Sequence, residues 1–347
     1  MSRRQFLKQS SLLSLGIIAY PMCGNALQFG SKNDVIIGHN SHRYKVDMNW
    51  GNLDALKTPV KDCHEMVQDS KGRIVLLTNH TKNNIIIYDK SGKLITTWGT
   101  KYPGGHGLTL AKENGEDFLL ITDYERHQVI KTTIEGKVVF EIDYPADTGK
   151  YNNKAEFKPT ETTVLENGDF YVADGYGNQY ITHYNHKGEL QNIFGGRGTE
   201  NGQFLNAHGI CYDNRDKKNP SLLISAREMN VLKRFDLKGN YLESIPVPGA
   251  LICRPVIHKN DIYFAVLKSK NAPNSDSGFL LIMNEKNEVV SCPGATLPEY
   301  KNNTLEELYQ TVRLFQHPHD VCIDNDENIY VAQWNSGQTY PIKLTRV

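Results

Sequence analysis

The stretch Asp62-Cys-His64-Glu-Met66 returns, altered around its histidine, as Gly104-Gly-His106-Gly-Leu108, Asn206-Ala-His208-Gly-Ile210 and His317-Pro-His319-Asp-Val321. Each copy leads through a turn into an apolar run that closes on polar residues, such as Ile74-Val-Leu-Leu-Thr78 or Ile329-Tyr-Val-Ala-Gln333. The spacing is the same in the first and last copies: ten positions from His64 to Ile74 and ten from His319 to Ile329. Self-similarity at roughly forty to fifty residues, with strands and no helical period inside the unit, is the signature of a β-propeller. In a radial repeat, equivalent positions converge on the central axis. Four imidazoles at one such position therefore read as a metal site.

Working outward, the position held by histidine is filled by Thr160 and Arg254 in two further units, giving six in all. A third strand follows the apolar run, as in Asn84-Ile-Ile-Ile-Tyr-Asp89. A glycine turn at Gly92, Gly136, Gly188 or Gly239 then introduces an outer strand such as Lys93-Leu-Ile-Thr-Thr-Trp-Gly99. The expectation is an all-β, six-bladed propeller of four-stranded blades over residues 43–347, preceded by a linker at 27–42. The last unit stops without an outer strand, whereas Tyr44-Lys-Val-Asp-Met-Asn-Trp50-Gly51 ends like the first blade's Trp98-Gly99. Pairing that segment with the last strand, near Ile342 to Arg346, closes the ring and removes an open edge. Asp143 to Glu156 and Ser291 to Gln316 interrupt the repeat as candidate pocket walls, and the spacing in Leu305–Val312 predicts a short amphipathic helix.

Lys+Arg and Asp+Glu both number 39 in 347 residues, so no net field favours nucleic acid or an anionic membrane surface. The expected partner is a small anionic molecule, and the expected state is a monomer. Residues 1–26 read as an export signal. Arg3-Arg4 with Phe6-Leu7-Lys8 resemble a twin-arginine signal, and Leu12 to Ala19 is too short an apolar stretch to span a bilayer. The mature chain is expected in the periplasm or secreted, with no membrane span. Beyond Cys23 of the signal, five cysteines remain, Cys63, Cys211, Cys253, Cys292 and Cys322, so at least one is unpaired in a monomer. They read as small core residues between blades.

Neutral imidazoles with no acidic cluster beside them suit zinc or another first-row divalent metal, and a three-histidine shell leaves a coordination position for substrate or water. The runs Gly105-His106-Gly-Leu with Asp123 and His127, Pro159-Thr with Val172-Ala-Asp-Gly-Tyr176-Gly-Asn, Gly202-Gln-Phe with His208, Ala226-Arg227-Glu and Pro318-His319-Asp320 resemble peptidyl-α-hydroxyglycine α-amidating lyase, a six-bladed propeller of the NHL-repeat type. The resemblance spans roughly residues 60–345, with the motifs in the family's order. It implies a zinc held by His106, His208 and His319, Tyr176 as general base, and Arg227 reaching the substrate. It also implies a structural calcium on Asp320 and the carbonyls of Met66 and Leu108.

The chain departs from that pattern in three places. Asn79-His80 stands where the family has an arginine, which makes His80 a further catalytic candidate at the same end of the channel. His64 is an extra imidazole, a possible fourth ligand or substrate contact. Arg254 is expected to bring a second guanidinium near the metal, suited to a substrate carboxylate. Together these residues favour an exported lyase that eliminates next to a carboxylate, a dehydratase or lyase on uronic-acid oligosaccharides. The sequence resembles, less specifically, exported propeller lyases and dehydratases acting on such sugars, those of ulvan among them. The alternatives are C–N cleavage of the amidating-lyase type and a non-catalytic propeller that binds protein or glycan.

Overall fold

The computed structural model describes residues 35–269 and 277–347, so the expected export segment, with Arg3, Arg4 and Cys23, lies outside the described residues. Six antiparallel sheets follow one another along the chain. Blade one is Cys63–Gln68, Ile74–Thr78, Ile85–Tyr88 and Leu94–Trp98. Blades two, three and four repeat this four-stranded order from Gly105, Glu161 and Ala207. The inner strand of blade five is broken into Ala250–Ile252 and Val256–His258, both paired with Asp261–Ser269. Pro255 sits in the break, where it has no N–H to give a ladder.

The local cause of this regularity is turn chemistry. In blade after blade an Asp or Asn side chain accepts from the backbone N–H groups two and four residues on: Asp69 and Asp89 in blade one, Asn185, Asp236, Asn284 and Asp324 in later blades. Such side-chain turns reverse the chain within a few residues. The strands between them bury both faces against neighbouring blades. Ile74–Thr78 and Ile329–Gln333 are buried at every position.

Ring closure occurs as expected. Tyr44 pairs with Arg346 and Asp47 with Lys343, so the N-terminal strand His42–Asp47 completes blade six. The domain also begins earlier than residue 43. Ile36–His39 folds back on His42–Asp47 as a fifth strand, and its His39 binds blade five through Ser291 Oγ and the Cys292 N–H. Residues 36–42, expected as linker, are part of the sheet.

The helix expected over Leu305–Val312 is absent. Asn302 and Asn303 both take positive φ (49° and 62°), which turns the chain into a hairpin pairing Tyr300–Lys301 with Thr304–Leu305. The chain then runs on extended, with Leu308 N–H donating to Pro248 O and Gln310 N–H to Ser269 Oγ. Leu305 and Leu308 are buried against blade five. Their spacing was that of a buried edge, and the two asparagines decide the conformation.

Candidate metal centre

The inner strands of neighbouring blades lie side by side around the axis, and each axial histidine stands near the start of one. In a regular strand His64 and Glu65 would face opposite ways. A bulge intervenes in blades one, two, four and six. The register steps from Cys63↔Thr78 to Glu65↔Leu77, from Gly105↔Asp123 to Leu108↔Ile121, from Ala207↔Ala226 to Gly209↔Ser225, and from Pro318↔Gln333 to Asp320↔Ala332. A bulge re-aims side chains, so His64 with Glu65, and His319 with Asp320, are all buried in the channel. In blades two and four the residue after histidine is glycine for want of space. A Cβ on Gly107 would lie 2.6 Å from the Thr160 carbonyl oxygen of blade three, and one on Gly209 would strike the Arg254 backbone.

The four imidazoles form one cluster. His106 lies 4.9 Å, centroid to centroid, from His64 and from His208, and 4.7 Å from His319; His319 is 4.9 Å from both His64 and His208. Ligand atoms of His64, His106 and His319 all fall within 4.8 Å of one another. This makes His64 a full member of the cluster, with His208 against its other side. The resemblance had implied His106, His208 and His319 as the set.

Protonation follows from the partners. His106 Nδ1 is 2.8 Å from Thr160 O, and His319 Nδ1 is 3.0 Å from His64 O. A carbonyl only accepts, so both Nδ1 atoms carry the proton and both Nε2 atoms keep a lone pair, as in ligating histidines oriented by a carbonyl. Burial holds all four rings neutral. It pushes His64 down to about 3 and the others well below the usual histidine range, with neighbouring rings or Arg227 adding to the effect.

Whether a metal fits is decided by the unmet nitrogens. Among the described residues, both ring nitrogens of buried His64, and Nδ1 of His208, have no hydrogen-bond partner. Leaving a buried acceptor or donor unpaired costs about 1–3 kcal/mol. A packed structural histidine avoids that cost, so three orphaned nitrogens beside two oriented Nε2 atoms fit a metal-ligating set.

Tyr176 closes one side of the cluster. Its hydroxyl is 3.0 Å from His106 Nε2 and 3.2 Å from His208 Nε2. The loop that carries it is pinned by Asp174, whose carboxylate accepts from Lys158 N–H and Asn178 N–H, each at 2.6 Å, and from the Tyr151 hydroxyl at 3.0 Å. Tyr151 belongs to the interruption after Asp143, so that insert braces the Tyr176 loop. The phenol is not acidified in the protein alone. Burial raises its pKa above the usual tyrosine value, and Arg227 pulls the other way without overcoming it.

Arg227, on a short turn Arg227–Met229, is buried, with its guanidinium carbon 6.0 Å from the Tyr176 ring centre. Nη1 lies 3.9 Å from Cys253 Sγ, and Nε has no partner. Tyr124 stands against both His106 and Tyr176, at 6.2 and 5.7 Å between ring centres.

One expectation is corrected, and two further candidates are placed. Arg254 does not point at the histidines. It turns one step further along the channel, where Asp320, Glu65 and Glu161 surround it. The acceptors expected to hold calcium, Asp320 and the Met66 and Leu108 carbonyls, do converge, but on the Arg254 guanidinium. His80 makes none of the ring contacts that join the cluster, and its Nδ1 accepts from Lys82 N–H in its own turn. Glu65, Glu161, Tyr124 and Cys253 escaped the sequence reading. The two glutamates directly follow axial positions, as Asp320 does, and for Glu65 and Asp320 it is the bulge that lets neighbours share the channel. The cysteines beyond the signal are all free, and all but Cys211 are fully buried.

Fold and site together define a six-bladed propeller with a buried, neutral four-histidine cluster on its axis, flanked by a tyrosine and an arginine. No family model matches the chain. Over 327 residues, 89% of its length, it is 27% identical to peptidyl-alpha-hydroxyglycine alpha-amidating lyase 1 of Drosophila melanogaster. The match covers 55% of that protein, so the chain spans about half the length of this relative. Among solved structures it resembles a gluconolactonase from Xanthomonas campestris (TM-score 0.61, 8% identity, 90% of this chain and 95% of that one). It also resembles a streptogramin B lyase (TM-score 0.56, 15% identity, 87% and 97%). These two likenesses concern the fold. Among the described residues, no helix is long and apolar enough to cross a membrane.

Proposed function

We propose that this chain is a metal-dependent lyase that breaks a bond next to a carboxylate. The observation that carries this reading is the Tyr176 hydroxyl, shared between His106 and His208 beside the guanidinium of Arg227. Arg227 is always charged, buried, and has an unpartnered Nε, so a substrate carboxylate is the group it suits. With Arg254 engaged elsewhere, Arg227 is the guanidinium left for that task. His64, His106 and His319, with His208 adjoining, would hold zinc or a similar first-row ion. When bound, the ion supplies positive charge that lowers the phenol pKa and stabilises a developing oxyanion.

Tyr176, as phenolate, takes the proton from the carbon next to the carboxylate. The C–H electrons enter an enolate-like anion, then form a C=C bond as the β-oxygen departs with its bonding pair and gains a proton. Buried walls keep bulk water from the anion. Uronic acids present this arrangement, an acidic hydrogen at C5 and an oxygen on C4. An acidic oligosaccharide is therefore the substrate class, and loss of water would make the protein a dehydratase. With residues 1–26 read as an export signal, the protein acts where such sugars are met.

The similarity to the amidating lyase favours a second reading on the same residues. Tyr176 would take the hydroxyl proton of an α-hydroxyglycine compound, C=O would form as the C–N bond breaks, and the nitrogen would keep the bonding pair and receive that proton back from the phenol, leaving glyoxylate and an amide. A paired assay separates the two. Uronic-acid oligosaccharides are followed for the ultraviolet absorbance of a conjugated double bond, and N-acyl-α-hydroxyglycines for glyoxylate release. Absorbance growth supports the first, glyoxylate the second, and neither signal with metal-replete protein counts against a lyase.

A further inference from the structure

One step below the histidines, a single side chain fills the channel. Arg254 Nε donates to Asp320 Oδ1 at 3.0 Å, Nη2 to Asp320 Oδ2 at 2.7 Å and to Met66 O at 3.1 Å, and Nη1 to Leu108 O at 3.0 Å. Glu65 and Glu161 stand 3.5 and 3.6 Å from the same guanidinium. Glu65 also accepts from Leu108 N–H, while Glu161 Oε2, fully buried, has no hydrogen-bond partner. Acceptors from blades one, two, three and six thus meet one cation from blade five. The break at Pro255 is what frees Arg254 from the strand.

We propose that the Arg254 guanidinium is the resident cation of this layer, a covalent substitute for a hard metal ion, and that the protein binds metal at its histidines alone. Three carboxylates and two carbonyls make the oxygen set that calcium prefers. Here the planar fork of the guanidinium occupies their centre, satisfies both carbonyls and engages one carboxylate bidentately. A second cation in the same space would meet its charge at close range in a low-dielectric interior.

The test is thermal unfolding and calcium binding, measured on protein desalted into calcium-free buffer, for wild type, Arg254→Ala and Arg254→Lys. Wild type should bind no calcium by equilibrium dialysis, and its Tm should not move when calcium chloride is added. Arg254→Ala leaves the carboxylates uncompensated, so its Tm should fall by about 10 °C. It should then recover at least half of that with calcium, binding one ion per chain. Arg254→Lys keeps a charge and should stay insensitive to calcium. A wild type that calcium stabilises would overturn the proposal, as would an Arg254→Ala protein indifferent to calcium. Should that variant fail to fold without the ion, refolding yield becomes the readout: recovery dependent on calcium supports the substitution, and equal yields with and without calcium refute it.

Discussion

The hydroxyl of Tyr176 touches two imidazoles at once, and its proton decides what the site does. Burial alone keeps it protonated, with Arg227 offsetting only part of the penalty. A base at neutral pH therefore requires the further charge of a cation on the histidines. Tyr176→Phe keeps the ring and removes the acceptor. It should fold, retain metal, and lose turnover by roughly a hundredfold or more, the usual loss for a general base. Near wild-type turnover would move the role elsewhere, and lost metal would make the phenol structural. At this scale the repeat made the histidines legible, because it places equivalent residues on one axis, whereas Tyr176 and Arg227 were named only through the resemblance to the amidating lyase. The sequence was not legible for Arg254. Its direction depends on a strand break, and two of its acidic partners, Glu65 and Asp320, share the channel with the histidines before them because bulges cancel the strict alternation of a strand.

The Tyr176 loop is an element with its own support. Three donors end on the Asp174 carboxylate, and the side chain of Gln179 donates to Gly175 O and Gly177 O. Asp174→Ala would leave those three donors unpaired in the interior, at about 1–3 kcal/mol each where burial is complete. The expected result is a clear drop in Tm together with loss of turnover, with metal retained because no histidine lies on the loop. Unchanged turnover would show that the loop does not position the phenol. The bracing insert could be located from the sequence as an interruption, but its contacts could not. The later insert shows the opposite failure: leucine spacing at Leu305 and Leu308 fits a helix, and Asn302-Asn303 at positive φ overrides it.

For the whole molecule, the ring is closed by pairing of its two ends. Tyr44 and Val46 are buried in blade six, so deleting residues 1–48 exposes their partners and reopens an edge. The truncated chain should lose cooperative melting or solubility, and a sharp transition near that of wild type would contradict this role. Closure was legible because the last unit lacks an outer strand while the N-terminal segment ends in Trp50-Gly51, as the first blade's outer strand ends in Trp98-Gly99. The added strand Ile36–His39 was not, since nothing in the unit repeats it.

Acid should weaken the metal-stripped protein. All four axial histidines have folded pKa values below the ordinary 6.5, His64 at about 3. The unfolded chain thus takes up protons first, and stability, complete above pH 6.5, is lost as pH falls from there towards the folded values, about 1.4 kcal/mol per pH unit for each such ring. Glu65, Asp320, Asp123 and Asp174, the last held at about 7, are shifted upward and act in the opposite sense, while His39, His183 and His258 are lowered and add to the four axial rings. Tm should fall between pH 6.5 and 5, less steeply in His64→Asn; a flat profile would mean the rings are not held neutral.

The central claim is that the propeller axis holds a metal on its histidines. Elemental analysis of the purified mature protein tests it most directly, with His106→Ala prepared in parallel. The account predicts about one first-row divalent ion per chain in the wild type and loss of that stoichiometry in the variant. A wild type that stays free of metal after dialysis against zinc, or a variant that keeps its full complement, would contradict it.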